Sequence, residues 1–160
     1  MTAAAYHFFV WCQETGLGEM IRESKWMFPV IETFHLLALS VMGGMLLAVD
    51  FRLLGFGLRR QPVATLARDV QPWLVGSLAV MLISGGVLFS SEALKCWDNG
   101  AFWMKMEFLL AALVFTFTIR RWYTQRDDAH LNPVVSRAVA IMSMTLWLGV
   151  GAGGRGIGFY

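Results

Sequence analysis

Glu32 and His35 stand one helical turn apart inside WMFPVIETFHLL, residues 26 to 37, a stretch hydrophobic enough to enter a bilayer. Residues three apart share a helix face, so the carboxylate and the imidazole point the same way. A second pair, Lys105 and Glu107, lies in the apolar segment AFWMKMEFLL. An ionised side chain at the centre of a membrane helix costs about 2.5 kcal/mol or more, so it normally faces a partner or a cavity. A functional site is the default reading of all four. The alternative for the carboxylates and the lysine is a Glu32–Lys105 or Glu107–Lys105 ion pair that only fixes helix register. His35 has three readings: a core histidine donating to a carbonyl, a proton relay with Glu32, or a ligand of a metal or haem iron.

Positioning these residues requires membrane helices. The chain has 160 residues, of which 57% are hydrophobic and 15% charged. A soluble domain carries roughly 25% charged residues, and here the apolar residues come in blocks approaching the ~20 needed for a span. The pattern predicts an all-α bundle of four transmembrane helices, about 26–49, 72–91, 101–119 and 134–150, in one domain covering 1–160. Residues 4–24 mix Tyr6, Phe8, Phe9 and Trp11 with Gln13, Glu14, Glu19, Arg22 and Glu23 around Gly16 and Gly18. They read as an interfacial amphipathic segment of one or two short helices. AYHFFVWC lacks a preceding basic region and a small-residue cleavage site, which argues against a removable signal peptide.

The net charge is +2, and no basic stretch is interleaved with aromatics, so nucleic acid is not an expected partner. Arg52, Arg59, Arg60 and Arg68 fall between spans 1 and 2, and Arg120, Arg121 and Arg126 follow span 3, whereas the connection between spans 2 and 3 holds Lys95. The positive-inside rule then places both termini outside, in the periplasm if the membrane is a bacterial inner membrane. Cys12 and Cys96 share that side, where a disulfide is permitted. They read either as a bridge or as two independent thiols. Asp50, Arg52, Asp69 and Arg137 read as boundary pairing at the opposite end.

At 1.5 Å per residue, Glu32 lies ~9 Å and His35 ~14 Å inside the outer end of span 1, with Lys105 ~6 Å and Glu107 ~9 Å deep in span 3. Gly85 and Gly86 in span 2 approach the same level, as do Gly149, Gly151, Gly153 and Gly154 in span 4. Missing side chains allow either close helix packing or room for a flat macrocycle. If haem b sits there, His35 is an axial ligand and Lys105, Arg155 and Lys95 are the cations on the propionate side. Met81, Met142, Met144 and His7 are candidates for the opposite axial position, though methionines also serve as gap-fillers in apolar cores. Copper held by His35 and a methionine is the alternative, since thioether suits Cu(I). The Glu-x-x-His spacing occurs once in a predicted span, whereas a di-iron carboxylate site uses it twice. His130 reads as a solvated loop residue, and GVGAGGRG lacks the Lys-Ser/Thr ending of a phosphate loop.

FPVIETFHLL, VDFRLLG, GSLAVMLISGGVLFSSEA and NGAFWMKM, with an echo in the terminal GGRGIGF, resemble a bacterial family of small four-span inner-membrane proteins with no agreed activity. More distantly, a histidine in the first span with Phe102 through Lys105 at the head of a later one is similar to HemJ-type protoporphyrinogen oxidases and CopD-type copper-resistance membrane proteins. The first resemblance implies b-type haem and porphyrin oxidation, the second copper movement. The leading expectation is a haem b protein transferring electrons or supporting a larger membrane redox assembly. The alternatives are a transport module for copper or a small species, and a non-catalytic accessory subunit.

Overall fold

The computed structural model describes residues 3–57 and 60–159, and every regular element among them is a helix. Helices α1 (Ala3–Gln13) and α2 (Gly16–Glu23) precede the first span, α3 (Met27–Leu54). The second span is α4 (Val63–Ser91), followed by the short α5 (Ala93–Trp97). The third span, Gly100–Thr124, consists of α6 (Gly100–Phe115), a π-helical turn (Thr116–Arg120) and α7 (Arg121–Thr124). The fourth is α8 (Pro133–Ile157). All four spans are long and apolar enough to cross a membrane, so the chain is a multi-pass membrane protein with a shorter helical segment at its N-terminus. Arg59, one of the expected loop arginines, lies outside the described residues.

Helix ends explain where the spans differ from their expected limits. α3 continues past Val49 because its stop signal is Gly55, in the left-handed conformation at φ 86°. There the Phe56 amide donates to the Phe51 carbonyl at 2.8 Å, which closes the last turn. Asp50 and Arg52 are therefore inside the helix. The second span begins at Val63, nine residues before Pro72. Val63 and Leu66 are buried while Arg68 and Asp69 are exposed, so this first part is an amphipathic helix rather than a loop. Pro72 removes one ladder hydrogen bond without ending α4.

The glycine-rich tail is also helical. α8 runs seven residues past Val150 because Gly149, Gly153 and Gly156 are the positions at which α6 touches it. A Cβ at those positions would fall 2.4 Å from the Phe108 ring, 2.8 Å from Lys105 Cβ and 2.9 Å from Ala101 Cβ. The spacing is four and three residues on α8, matched by three and four on α6. It is the small-residue seam by which membrane helices approach closely without a hydrophobic driving force.

α3 packs against both α4 and α8, and α8 against α6. One core cluster lies mid-bundle around Met42, Leu46, Leu78 and Met81, and a second near Leu53, Val63, Tyr123 and Ala140. A third, around Phe9, Cys12, Ala93 and Cys96, seals the end that carries α1, α2 and α5. There Phe89 stacks on Phe102 with ring centroids 5.5 Å apart at 14°. Thr15 caps α2 by accepting from the Gly18 amide, so the chain breaks at Glu14–Thr15 rather than at the glycines. Arg22 then donates to the Ser91 carbonyl at 3.1 Å and to the Gln13 carbonyl at 2.9 Å, while the Gln13 side chain accepts from the Leu94 amide at 2.8 Å. The α1–α2 hairpin is thereby bonded to the last turn of α4. This is the hairpin end of the bundle; the opposite one, with Arg52, Arg60, Arg68, Arg121, Arg126 and Arg137, is the basic end.

Candidate functional site

His35 faces α4. Its Nδ1 lies 2.8 Å from Ser84 Oγ, and the Ser84 hydroxyl lies 2.6 Å from the Val80 carbonyl, to which it donates. A hydroxyl carries a single proton. With that proton given to Val80, Ser84 accepts from His35, which puts the ring proton on Nδ1 and leaves the lone pair on Nε2. Ligating histidines are oriented in this way, by a hydrogen bond from the other ring nitrogen. The imidazole rests on Gly85, where a Cβ would lie 3.2 Å from Cε1. Gly85 thus makes room for the histidine itself. Gly86, beside it, is exposed with nothing within 4 Å of its Cβ direction.

Lys105 is half-buried on α6, its backbone against Gly153 and its ammonium 3.7 Å from the Cβ direction of Gly154. It makes no hydrogen bond or ion pair with any described residue. The Lys105 ammonium and the Glu32 carboxylate are both within Coulombic range of the His35 ring. Neither the Glu32–Lys105 nor the Glu107–Lys105 bridge is formed among the described residues. Glu32 is exposed, and Glu107 lies on another face, at an apolar groove of about 580 Å³ bordered by Leu110, Val114, Met142 and Leu146. Three of the four expected residues therefore share a neighbourhood and Glu107 leaves it.

The remaining candidates separate by position. Arg155 is exposed, with its guanidinium 5.1 Å from the Phe159 ring centroid, and Lys95 pairs with Glu92. Met81 is buried in the mid-bundle core, Met142 is exposed, and His7 is exposed beside Tyr6. No cluster of three or more His, Cys, Asp or Glu suited to a bare metal ion occurs among the described residues. Cys12 and Cys96 belong to one cluster at the hairpin end, but both are free thiols, so the possible bridge is not formed. Burial pushes the Cys96 thiol above its ordinary range while Lys105 pulls it the other way; burial also raises Cys12.

A second polar centre, not expected from the sequence, lies nearer the basic end. Arg120 Nε donates to Asp50 Oδ1 at 3.0 Å, Arg120 Nη2 donates to the Leu46 carbonyl at 3.1 Å, and Ser143 donates to Asp50 Oδ2 at 2.7 Å. Asp50 is 1% exposed, Arg120 5% and Ser143 0%, so these are not boundary residues. Arg120 ends the π-helical turn, and Trp147 donates to Thr116 within the same turn at 3.1 Å. Such turns recur at functional positions in helices. One sequence signal was present: Phe51, Leu53 and Leu54 continue the apolar run beyond Asp50.

No curated protein and no solved structure matches the chain, so neither the HemJ-type nor the CopD-type resemblance is supported by a detected relative. A family model does match, over residues 8–160. With nearly the whole chain covered, including the hairpin, the His35–Ser84 contact and the α6–α8 seam, the protein belongs to DUF6644, a family of unknown function.

Proposed function

We propose that this protein binds a b-type haem in the membrane, which His35 Nε2 would ligate, and serves electron transfer at the hairpin end, alone or within a larger redox assembly. The observation that carries the reading is the His35–Ser84–Val80 hydrogen-bond chain, which orients the ring and commits its lone pair to Nε2. A haem needs few protein donors because the macrocycle supplies four nitrogens, whereas a bare ion asks for a cluster of side chains. Lys105, without an anionic partner among the described residues and within Coulombic range of His35, suits a propionate carboxylate and opposes a bare cation such as copper. When bound, haem supplies one-electron chemistry; Ser84 holds the ligand's tautomer and Gly85 its clearance. On the positive-inside rule we place the basic end in the cytoplasm of a bacterial cell and both termini in the periplasm.

Absorption spectra of the detergent-purified protein, oxidised and dithionite-reduced, with a pyridine haemochrome assay, test this reading. The expected result is a stoichiometric b-type spectrum that is lost in His35→Ala. A colourless, folded protein after expression with ample haem, or a spectrum unchanged in His35→Ala, overturns it.

A further inference from the structure

At the basic end a pocket of about 350 Å³ opens between the end of α3 and the first turn of α8. It lies within the ~300–1,000 Å³ range of small-ligand sites. Leu53, Val63 and Leu131 form its apolar floor, and Arg52, Arg137 and Asp128 are its charged groups. Asp128 is fully engaged. Its Oδ2 accepts from Arg52 Nη2 at 2.8 Å and its Oδ1 accepts from the Val63 amide at 2.9 Å, capping α4. Arg52 is held further by donating from Nε to the Gln61 carbonyl at 2.9 Å. Arg137 makes no hydrogen bond or ion pair with any described residue, so among the described residues its charge is the uncompensated one in the pocket. The positive end of the α8 dipole points to the same space.

We propose that this pocket binds the phosphate of a net anionic species, one whose charge no cation of its own head group neutralises, with Arg137 as its principal contact, Arg52 completing the clamp and the apolar floor meeting the adjoining glycerol and acyl carbons when the phosphate belongs to a lipid. Guanidinium groups match phosphate oxygens in geometry as well as charge. The stacking of Arg126 on Trp122, 3.6 Å from guanidinium carbon to ring centroid, marks the same end with the aromatic and basic signature of a membrane interface. Anionic lipids concentrate beside such basic segments. The inference is independent of what His35 binds.

The test is a titration of the intact, delipidated protein in neutral detergent, followed by its thermal unfolding midpoint, since a ligand of the folded state raises that midpoint with the logarithm of its concentration over its Kd. The probes are phosphatidylglycerol, phosphatidylcholine and inorganic phosphate. Phosphatidylglycerol is expected to raise the midpoint and phosphatidylcholine to leave it unchanged, with affinity falling roughly tenfold in Arg137→Gln and by less in Arg137→Lys, which keeps the charge and loses the fork. A midpoint raised by inorganic phosphate as strongly as by phosphatidylglycerol, and lost in Arg137→Gln, supports the site with the free ion as its ligand. Equal responses of wild type and Arg137→Gln, or of the two lipids, overturn the proposal. Arg137 is exposed and has no partner among the described residues, so its substitution leaves the fold to be compared directly.

Discussion

The two polar centres of the bundle are built on opposite plans. Near the basic end, Asp50 has both oxygens engaged, Arg120 has an anionic partner and a carbonyl, and three spans meet at the cluster. In the hairpin half, Lys105 has no hydrogen-bond or ion-pair partner among the described residues, and His35 is held through Nδ1 alone. Full pairing is what a structural centre requires, because a buried charge that loses its partner carries the whole desolvation cost. Open valences serve no such purpose. The difference separates residues paired with one another from residues whose polar atoms are unpaired among the described residues.

The comparison breaks most visibly at Asp50. Asp50→Ala leaves Arg120 buried and unpaired and is expected to destabilise by about 3–5 kcal/mol, whereas replacing both partners by apolar residues, as in Asp50→Leu with Arg120→Met, recovers most of it. Unfolding in detergent at fixed lipid content measures both. His35→Ala is expected to cost far less, since Ser84 keeps its bond to Val80; equal losses at the two centres would erase the distinction. A middle effect is expected at Gly153→Ala. Its Cβ would lie 2.8 Å from Lys105 Cβ and 3.0 Å from Lys105 Cα, so α6 and α8 must separate at a cost of about 1–3 kcal/mol. The same unfolding assay reads it, and a wild-type midpoint would mean the seam is loose.

The smallest effect concerns the hairpin end. Burial raises the Cys96 pKa, so the thiol stays protonated at neutral pH and its reactive thiolate accumulates only as pH rises past the ordinary cysteine range. Alkylation by iodoacetamide should therefore lag behind that of a free thiol and keep rising at pH values where the free thiol has levelled off. A rate matching free cysteine at every pH would show that the aromatic cap opens readily.

Much of the architecture was legible in the sequence because membrane spans declare themselves by composition. FPVIETFHLL and its counterparts leave few other options, and all four spans lie near their expected places. Glu32, His35 and Lys105 were also legible, since a charge or imidazole in an apolar run is conspicuous. Their partners were not. Nothing local distinguishes Asp50 or Arg120 from the charges that ordinarily anchor a span at its boundary, because their burial depends on helices far away in sequence. The glycines were ambiguous for the same reason: Gly149, Gly153 and Gly156 look alike whether they border a cavity or a neighbouring helix, and only the position of α6 decides. VATLARDV, too polar for a lipid-facing segment, reads as a loop until Val63 and Leu66 are seen against the core.

The π-helical turn at Thr116–Arg120 acts as a phase shifter in the third span. An extra residue carried in one turn advances the helix by roughly 100° at 3.6 residues per turn. The side chains before and after it are thereby aimed independently. Lys105 keeps its place on the glycine seam while Arg120 faces inward to Asp50, so one continuous rod carries both centres at a fixed angular offset.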